Sequence, residues 1–240
     1  MTEKCQAVLF DLDGTLIDTA PDFIRIIKVM CAKHQHPAPS DTAIREQVSA
    51  GARAMVKLMF GELADVTEDD PTLLAYRQEF LDTYEADICV DSRLFDGLDS
   101  LLKNLESRGI VWGIVTNKPR YLAENLLEKL ELTERCAVLV CPDDVKHTKP
   151  DPEPMYLAVA RLNEHLGRQL QPENCVYVGD HIRDIQAGNA ANMRTILAAY
   201  GYIPPEDQAD LGSWGADNII HSVAELTALL GDWTDALADT

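Results

Sequence analysis

Two acids, Asp11 and Asp13, stand at the exit of the apolar run Val8-Leu9-Phe10 and just before Gly14-Thr15-Leu16. The run is too short for a helix and ends at a turn signal, so it predicts a buried parallel strand with Asp11 at its carboxyl end. Side chains alternate along extended chain, which projects Asp11 and Asp13 to one side and turns Leu12 away, while Gly14 permits a sharp bend after them. Two like charges held so close repel unless a cation is shared between them. A hard cation with oxygen ligands, Mg²⁺ above all, suits carboxylates at a strand end. An Asp-x-Asp before glycine is also ordinary turn composition, so other residues must decide.

Three further stretches end apolar runs or turns with polar residues. Ile110–Val115 runs into Thr116-Asn117-Lys118-Pro119, Lys149 lies in Lys149-Pro150-Asp151-Pro152, and Cys175–Val178 runs into Gly179-Asp180-His181-Ile182-Arg183-Asp184. In open α/β sheets ligands bind beyond the carboxyl ends of the strands, which brings Asp11, Thr116 and Asp180 to one edge with Lys149 in a loop on that side. In order and type, the segment from Asp11 to Thr15, then Thr116, Lys149 and Gly179-Asp180 with Asp184, resembles the four motifs of the haloacid dehalogenase superfamily of phosphohydrolases. The resemblance spans nearly the whole chain.

Each residue type has a role in phosphate-ester hydrolysis. A carboxylate such as Asp11 can attack phosphorus and form an acyl phosphate that water later cleaves. Mg²⁺ neutralises the charge that would otherwise repel the substrate. Asp180 is the other expected metal-bound acid, and the resemblance implies the Asp13 backbone carbonyl as a third protein ligand. Asp184 falls one helical turn past Asp180, where it can orient metal waters or Lys149 from behind. The Asp13 side chain is expected to act as general acid, then base. Thr116 and the Asn117 backbone N–H can hold phosphoryl oxygens, with Lys149 adding a compact positive charge. His181 departs from the small polar or acidic residue common in the family and reads as tolerated. His147, Lys118 and Arg183 read as solvated loop charges.

The elements that position these residues divide the chain. After Leu16 the pattern is helical to about Ile88: Thr19-Ala20-Pro21-Asp22 opens a helix with Phe23, Ile26, Ile27, Met30 and Cys31 on one face. Asp41 caps a second helix, Gly51 interrupts it, Ala52 to Met59 gives a third, and a fourth from Thr72 carries Leu74, Phe80, Leu81 and Tyr84 as its apolar stripe. From Phe95 helices and strands alternate, with strands expected at 110–115, 137–141, 175–178, 195–198 and 218–221, loop over 201–215 and a mobile tail beyond Gly231. The expected fold is α/β: a Rossmann-like, doubly wound parallel sheet core over residues 1–15 and 95–240, with an inserted four-helix cap domain over 16–94. Such an insertion resembles the mobile cap of the phosphoglycolate phosphatase branch. Caps of this kind close over small substrates and choose the leaving group. Arg53, in Gly51-Ala52-Arg53, would suit a substrate carboxylate. The stretches Ser49 to Met55, Trp112 to Pro119, Cys141 to Val145 and Tyr200 to Asp207 are similar to the bacterial N-acetylmuramic acid 6-phosphate phosphatases of cell-wall recycling. Both substrates carry a carboxylate.

Composition agrees. The 240 residues carry 46% hydrophobic and 25% charged side chains, as soluble globular proteins do. No run approaches the ~18 apolar residues of a membrane span, and the first strand begins too early for a signal peptide, so a cytoplasmic location is expected. Six scattered cysteines without a C-x-x-C pair read as free thiols. A net charge of −19 argues against nucleic acid or anionic membranes as partners, leaving a small phosphate ester and a monomer or homodimer. A phosphomutase would keep every motif, a dehalogenase lacks the second acid, and a non-catalytic sugar-phosphate sensor would have lost a motif residue.

Overall fold

A computed structural model describes residues 5–167 and 169–235 of the chain. Its centre is β1 (Ala7–Phe10), whose residues all have buried side chains. On one side β1 pairs in parallel with β4 (Val111–Val115), which pairs with β5 (Leu139–Val140); on the other it pairs with β6 (Cys175–Gly179), followed by β7 (Arg194–Ala198) and β8 (Asn218–Ile220). The order β5-β4-β1-β6-β7-β8 reverses direction at β1, which creates a crevice at the carboxyl ends of β4, β1 and β6.

Period-two alternation sends neighbouring residues of β1 to opposite faces. Val8 and Phe10 join a core with α5 (Leu98–Ser107), α6 (Arg120–Lys129) and α9 (Val223–Asp235), whereas Ala7 and Leu9 pack with α7 (Glu153–Leu166) and Ala187 of α8 (Ile182–Ala190). The sheet is thus covered on both faces, as continuous apolar strands require.

Four helices, α1 (Ala20–Lys33), α2 (Asp41–Glu46), α3 (Ala52–Met59) and α4 (Pro71–Ala86), follow β1 and form the inserted cap. The chain reaches them through β2 (Ile17–Asp18) and leaves through β3 (Arg93–Leu94), two residues each and paired antiparallel. Asp22, fully buried in the first turn of α1, fastens this junction by accepting hydrogen bonds from the backbone N–H groups of Asp91 and Ser92 at 3.0 Å and from the Ser92 hydroxyl.

Several local expectations are corrected. The buried stripe of α4 begins at Leu73, not Leu74, which is 38% exposed, because Leu73 lies seven and eleven residues before Phe80 and Tyr84 and so on their face. The strand expected over 137–141 is reduced to Leu139–Val140, and the loop over 201–215 contains 3₁₀ turns from Gln208 to Trp214. Helix α9 continues through Gly231 to Asp235, and the rest of the expected mobile tail lies outside the described residues. All six cysteines are free thiols. Among the described residues, no helix is long and apolar enough to cross a membrane.

Candidate active site

The carboxyl ends of β4, β1 and β6 deliver Thr116, Asp11 and Asp180 side by side. Asp11 is fixed as it leaves β1, its N–H donating to the Val178 carbonyl at 2.8 Å. The chain then turns at Gly14, with φ +84°, where a Cβ would overlap the Asp180 carboxylate. Glycine therefore answers both a left-handed conformation and a close approach.

Lys149 occupies the centre of a buried cage. Its ammonium donates to Asp11 Oδ1 at 2.7 Å, Asp184 Oδ1 at 2.6 Å, the Tyr177 hydroxyl at 2.8 Å and the Val115 carbonyl at 2.9 Å. Burial disfavours its charge, but Asp11 and Asp184 outweigh that cost and hold its pKa above the ordinary lysine value. Asp184 Oδ2 accepts from the His181 N–H at 3.0 Å, closing a capping box at the start of α8. Both Asp184 oxygens are thereby engaged, one with Lys149 and one with the His181 N–H.

Asp180 is fully buried, with Oδ2 accepting from the Tyr202 N–H at 2.8 Å and the Ser49 hydroxyl at 2.7 Å, and Oδ1 accepting from Thr15 Oγ1 at 3.2 Å. Burial, reinforced by the charges of Asp11 and Asp184, pushes its pKa up to about 8. Asp11 is pushed up to about 6, again chiefly by burial, with Lys149 opposing the shift. Asp11, Asp180 and Asp184 present oxygens that all lie within 4.8 Å of one another. An all-oxygen, buried, mutually repelling set of carboxylates is what a hard divalent cation stabilises, so the residues fit Mg²⁺. The Ser49 hydroxyl that reaches Asp180 also lies 3.4 Å from the Asp13 carbonyl, bringing that carbonyl beside the acid.

The Asp13 carboxylate stands apart from this cluster. It accepts from the Thr19 hydroxyl at 2.7 Å and from the Lys118 ammonium at 3.0 and 3.3 Å. Lys118 is thus not a solvated loop charge. It is 7% exposed and lies 4.5 Å from the Tyr84 ring centroid and 5.1 Å from that of Phe23. Arg183 is likewise no solvated charge, since its guanidinium donates to the Ser49 carbonyl at 2.6 Å across to the cap. His147 does stay exposed, paired with Glu153 at 3.0 Å. His181 is more than tolerated: its Nδ1 accepts the Arg183 N–H as the helix cap, and burial followed by the Arg183 charge lowers its pKa to about 4. The ring is therefore neutral near pH 7.

Thr116 is buried, and its hydroxyl accepts the Lys118 N–H at 3.1 Å. Asn117 donates its side-chain amide to the Lys149 carbonyl at 3.1 Å, which ties the two loops together. Arg53 sits in the first turn of α3, 44% exposed, and pairs with Glu68 at 3.2 Å. Core and cap residues enclose a cleft of about 740 Å³, with Asp11, Asp13, Thr116 and Lys149 on the core wall and Ser49, Arg53, Lys57 and Arg77 on the cap wall. Ser49 and Arg77, which line the cleft, and Tyr177, which meets Lys149, carry no assigned role in the sequence analysis. Only Ser49 had a local signal, its closeness to Gly51.

A family model described as haloacid dehalogenase-like hydrolase matches residues 8–198. The chain is 45% identical over 227 residues to an N-acetylmuramic acid 6-phosphate phosphatase of Pseudomonas putida, covering 95% of this chain and 96% of that protein. It is 40% identical over 221 residues to a phosphoglycolate phosphatase of Xanthomonas campestris pv. campestris, covering 92% and 94%. A solved structure of a haloacid dehalogenase-like hydrolase from Streptococcus pneumoniae superposes with a TM-score of 0.76 at 22% identity over 95% of this chain and 99% of that one, a likeness of fold. Together with the ordered residues at the strand ends, this extent of match means that the chain belongs to the haloacid dehalogenase-like hydrolases.

Proposed function

We propose that this chain, a phosphoric monoester hydrolase of that family, cleaves the phosphate of a small carboxylated ester with Mg²⁺ bound, and that N-acetylmuramic acid 6-phosphate is its substrate. The observation that carries this reading is the cleft, about 740 Å³, with a carboxylate–lysine centre on one wall and cationic side chains on the other. That volume lies in the range of roughly 300–1,000 Å³ usual for small-molecule sites and suits a phosphorylated amino sugar better than the much smaller phosphoglycolate. Relatives carrying each name support either ester, the first at higher identity. Free thiols throughout suit a reducing cytoplasm.

Asp11 is the nucleophile. Lys149 holds its Oδ1, and no described donor reaches Oδ2, which remains for phosphorus. Oδ2 forms a bond to phosphorus as the bond from phosphorus to the sugar oxygen breaks, and Asp13 gives that oxygen its proton. Water then attacks the acyl phosphate while Asp13 takes a proton back, releasing inorganic phosphate and restoring Asp11. Asp11, Asp180 and the Asp13 carbonyl would hold Mg²⁺, which when bound would neutralise charge on the phosphoryl oxygens. Thr116 and the Asn117 N–H hold those oxygens, Lys149 neutralises their charge, and Asp184 keeps Lys149 in place. The cap helices, over about 16–94, close the cleft and exclude water, and Arg53 lies where the sugar substituents would reach.

Phosphate release from N-acetylmuramic acid 6-phosphate, phosphoglycolate and N-acetylglucosamine 6-phosphate, with Mg²⁺ and with EDTA, tests this. The expected result is Mg²⁺-dependent turnover with the highest kcat/KM on the muramic ester. A higher kcat/KM on phosphoglycolate would reassign the substrate, and full activity in EDTA would remove the metal from the mechanism.

A further inference from the structure

On a chain with 21 lysines and arginines against 40 aspartates and glutamates, a cation in a cleft without an acid beside it is unusual. Three cations line the cap wall. Arg53 and Lys57 share Glu68, at 3.2 and 3.0 Å. Arg77 is half-buried, and its guanidinium has neither an acid nor a carbonyl partner among the described residues. The other cations at the cleft are engaged: Lys118 with Asp13, Lys149 with Asp11 and Asp184, Arg183 with the Ser49 carbonyl.

The placement of Arg77 follows from helix geometry. Phe80, Leu81 and Tyr84 lie three, four and seven residues further along α4, hence on the same face, and all three line the cleft with it. The acids nearest on the helix are engaged elsewhere, Glu79 with Lys33 at 2.8 Å and His34 at 3.0 Å, and Asp82 accepting from Gln78 at 2.7 Å. Burial and the neighbouring charge of Arg53 disfavour the Arg77 cation, with Tyr121 as the one opposing neighbour and no carboxylate among them. Leaving a partly desolvated guanidinium uncompensated costs stability, and a ligand that brings the missing anion recovers that cost on binding.

We propose that Arg77 is the specificity-determining residue that receives the carboxylate of the leaving group, with Arg53, already paired to Glu68, in a lesser part. A single unpaired fork matches a single carboxylate in bidentate geometry. This inference rests on the reading of the substrate as a carboxylated ester, and it moves the main selectivity from α3 to α4.

N-acetylmuramic acid 6-phosphate and N-acetylglucosamine 6-phosphate provide the test, since they differ by the carboxylate-bearing lactyl group alone. Wild type, Arg77→Gln, Arg77→Lys and Arg53→Gln are compared by kcat/KM on both esters, with circular dichroism and thermal unfolding as controls for folding. In Arg77→Gln the ratio of kcat/KM between the two esters should fall by on the order of 10- to 100-fold, the scale of a charged hydrogen bond. The fall should appear mainly in KM. Arg77→Lys should recover part of the ratio, and Arg53→Gln should lower it less. If Arg77→Gln keeps the wild-type ratio, whether or not both rates drop, Arg77 supports the cap and the inference is overturned. If wild type itself does not favour the carboxylated ester, the substrate reading fails and takes the inference with it, an outcome visible before any variant is made.

Discussion

The ammonium of Lys118 sits 3.0 Å from Asp13 Oδ1, sandwiched between that carboxylate and the ring of Tyr84, whose centroid is 4.5 Å away. Asp13 belongs to the loop after β1 and Tyr84 to α4 of the cap, so one buried cation joins the two walls of the cleft. Removing the charge while keeping the stem, in Lys118→Met, should leave Asp13 misoriented and slow hydrolysis of every ester alike. A loss of about 10- to 100-fold in kcat is expected, below the ~10²–10⁴ of deleting a general acid outright. Parallel assays on p-nitrophenyl phosphate and a sugar phosphate check this, and unequal losses would assign Lys118 to leaving-group recognition instead.

Asp11→Asn preserves shape and should fold, because its amide oxygen can still accept from Lys149 and Asp184 remains to balance that ammonium. It should be inactive. Phosphate release by the folded variant within about tenfold of wild type, roughly 1.4 kcal/mol of barrier, would rule out a covalent route through Asp11.

Lys149→Arg should recover little of what Lys149→Ala loses. The four acceptors around Nζ, at 2.6 to 2.9 Å, enclose a compact ammonium, and a planar guanidinium cannot occupy the same point. Near-complete recovery by arginine, measured as kcat/KM, would reduce the role of Lys149 to general charge attraction.

Without metal, stability should fall as pH rises from about 4 to about 8. The unfolded chain releases the Asp11 and Asp180 protons near 3.8, whereas the folded chain holds them up to about 6 and about 8. The folded state therefore binds more protons in this window, and its advantage disappears as pH passes through the two folded values. Thermal unfolding in EDTA at pH 5.5 and pH 8 measures the effect. Mg²⁺ should raise the midpoint most at pH 8, where both carboxylates are free to bind it. A midpoint independent of pH in EDTA would mean that the cage of Lys149 already compensates these acids.

Asp22 works in the opposite sense. Burial favours its neutral form, but the hydroxyl of Ser92, the guanidinium of Arg25 and the N–H groups of Asp91 and Ser92 prevail and hold its carboxyl below the usual value. Its contribution is present above the unfolded value and is lost as pH falls through the lower folded one. Asp22→Asn should lower stability by roughly 1–3 kcal/mol in urea at pH 7 and flatten the acid limb of the stability curve. An unchanged midpoint would mean that β2 and β3 hold the junction unaided.

Much of the core was legible because its signals are local. Short apolar runs closed by Asp11, Thr116 and Asp180 read as strands, and strand ends in such a sheet share an edge. What escaped depends on partners far along the chain. Lys118 resembled a loop charge because its aromatic neighbours, Phe23 and Tyr84, come from helices inserted elsewhere. Tyr177 looked like core, since one side chain of a buried strand cannot announce that its hydroxyl meets a lysine 28 residues away. Leu73 and Leu74 are adjacent leucines about 100° apart on the helix, and only the spacing of Leu73 to Phe80 and Tyr84 separates them. The pair β2 and β3 is two residues per strand, too short for any period to register.

That short pair gives the helices a single doorway. Ile17 faces Leu94 and Asp18 faces Arg93, so the segment enters and leaves the sheet domain at points one ladder rung apart, about 5 Å. Closely spaced ends let such a segment vary in length without parting the strands that flank it, so long as its contacts to the core, Ser49 with Asp180 and Tyr84 with Lys118, are kept. On the proposed role of the helices, exchanging everything between Asp18 and Arg93 for the corresponding stretch of a relative is expected to change which esters are admitted while leaving the register of β4, β1 and β6 as it stands.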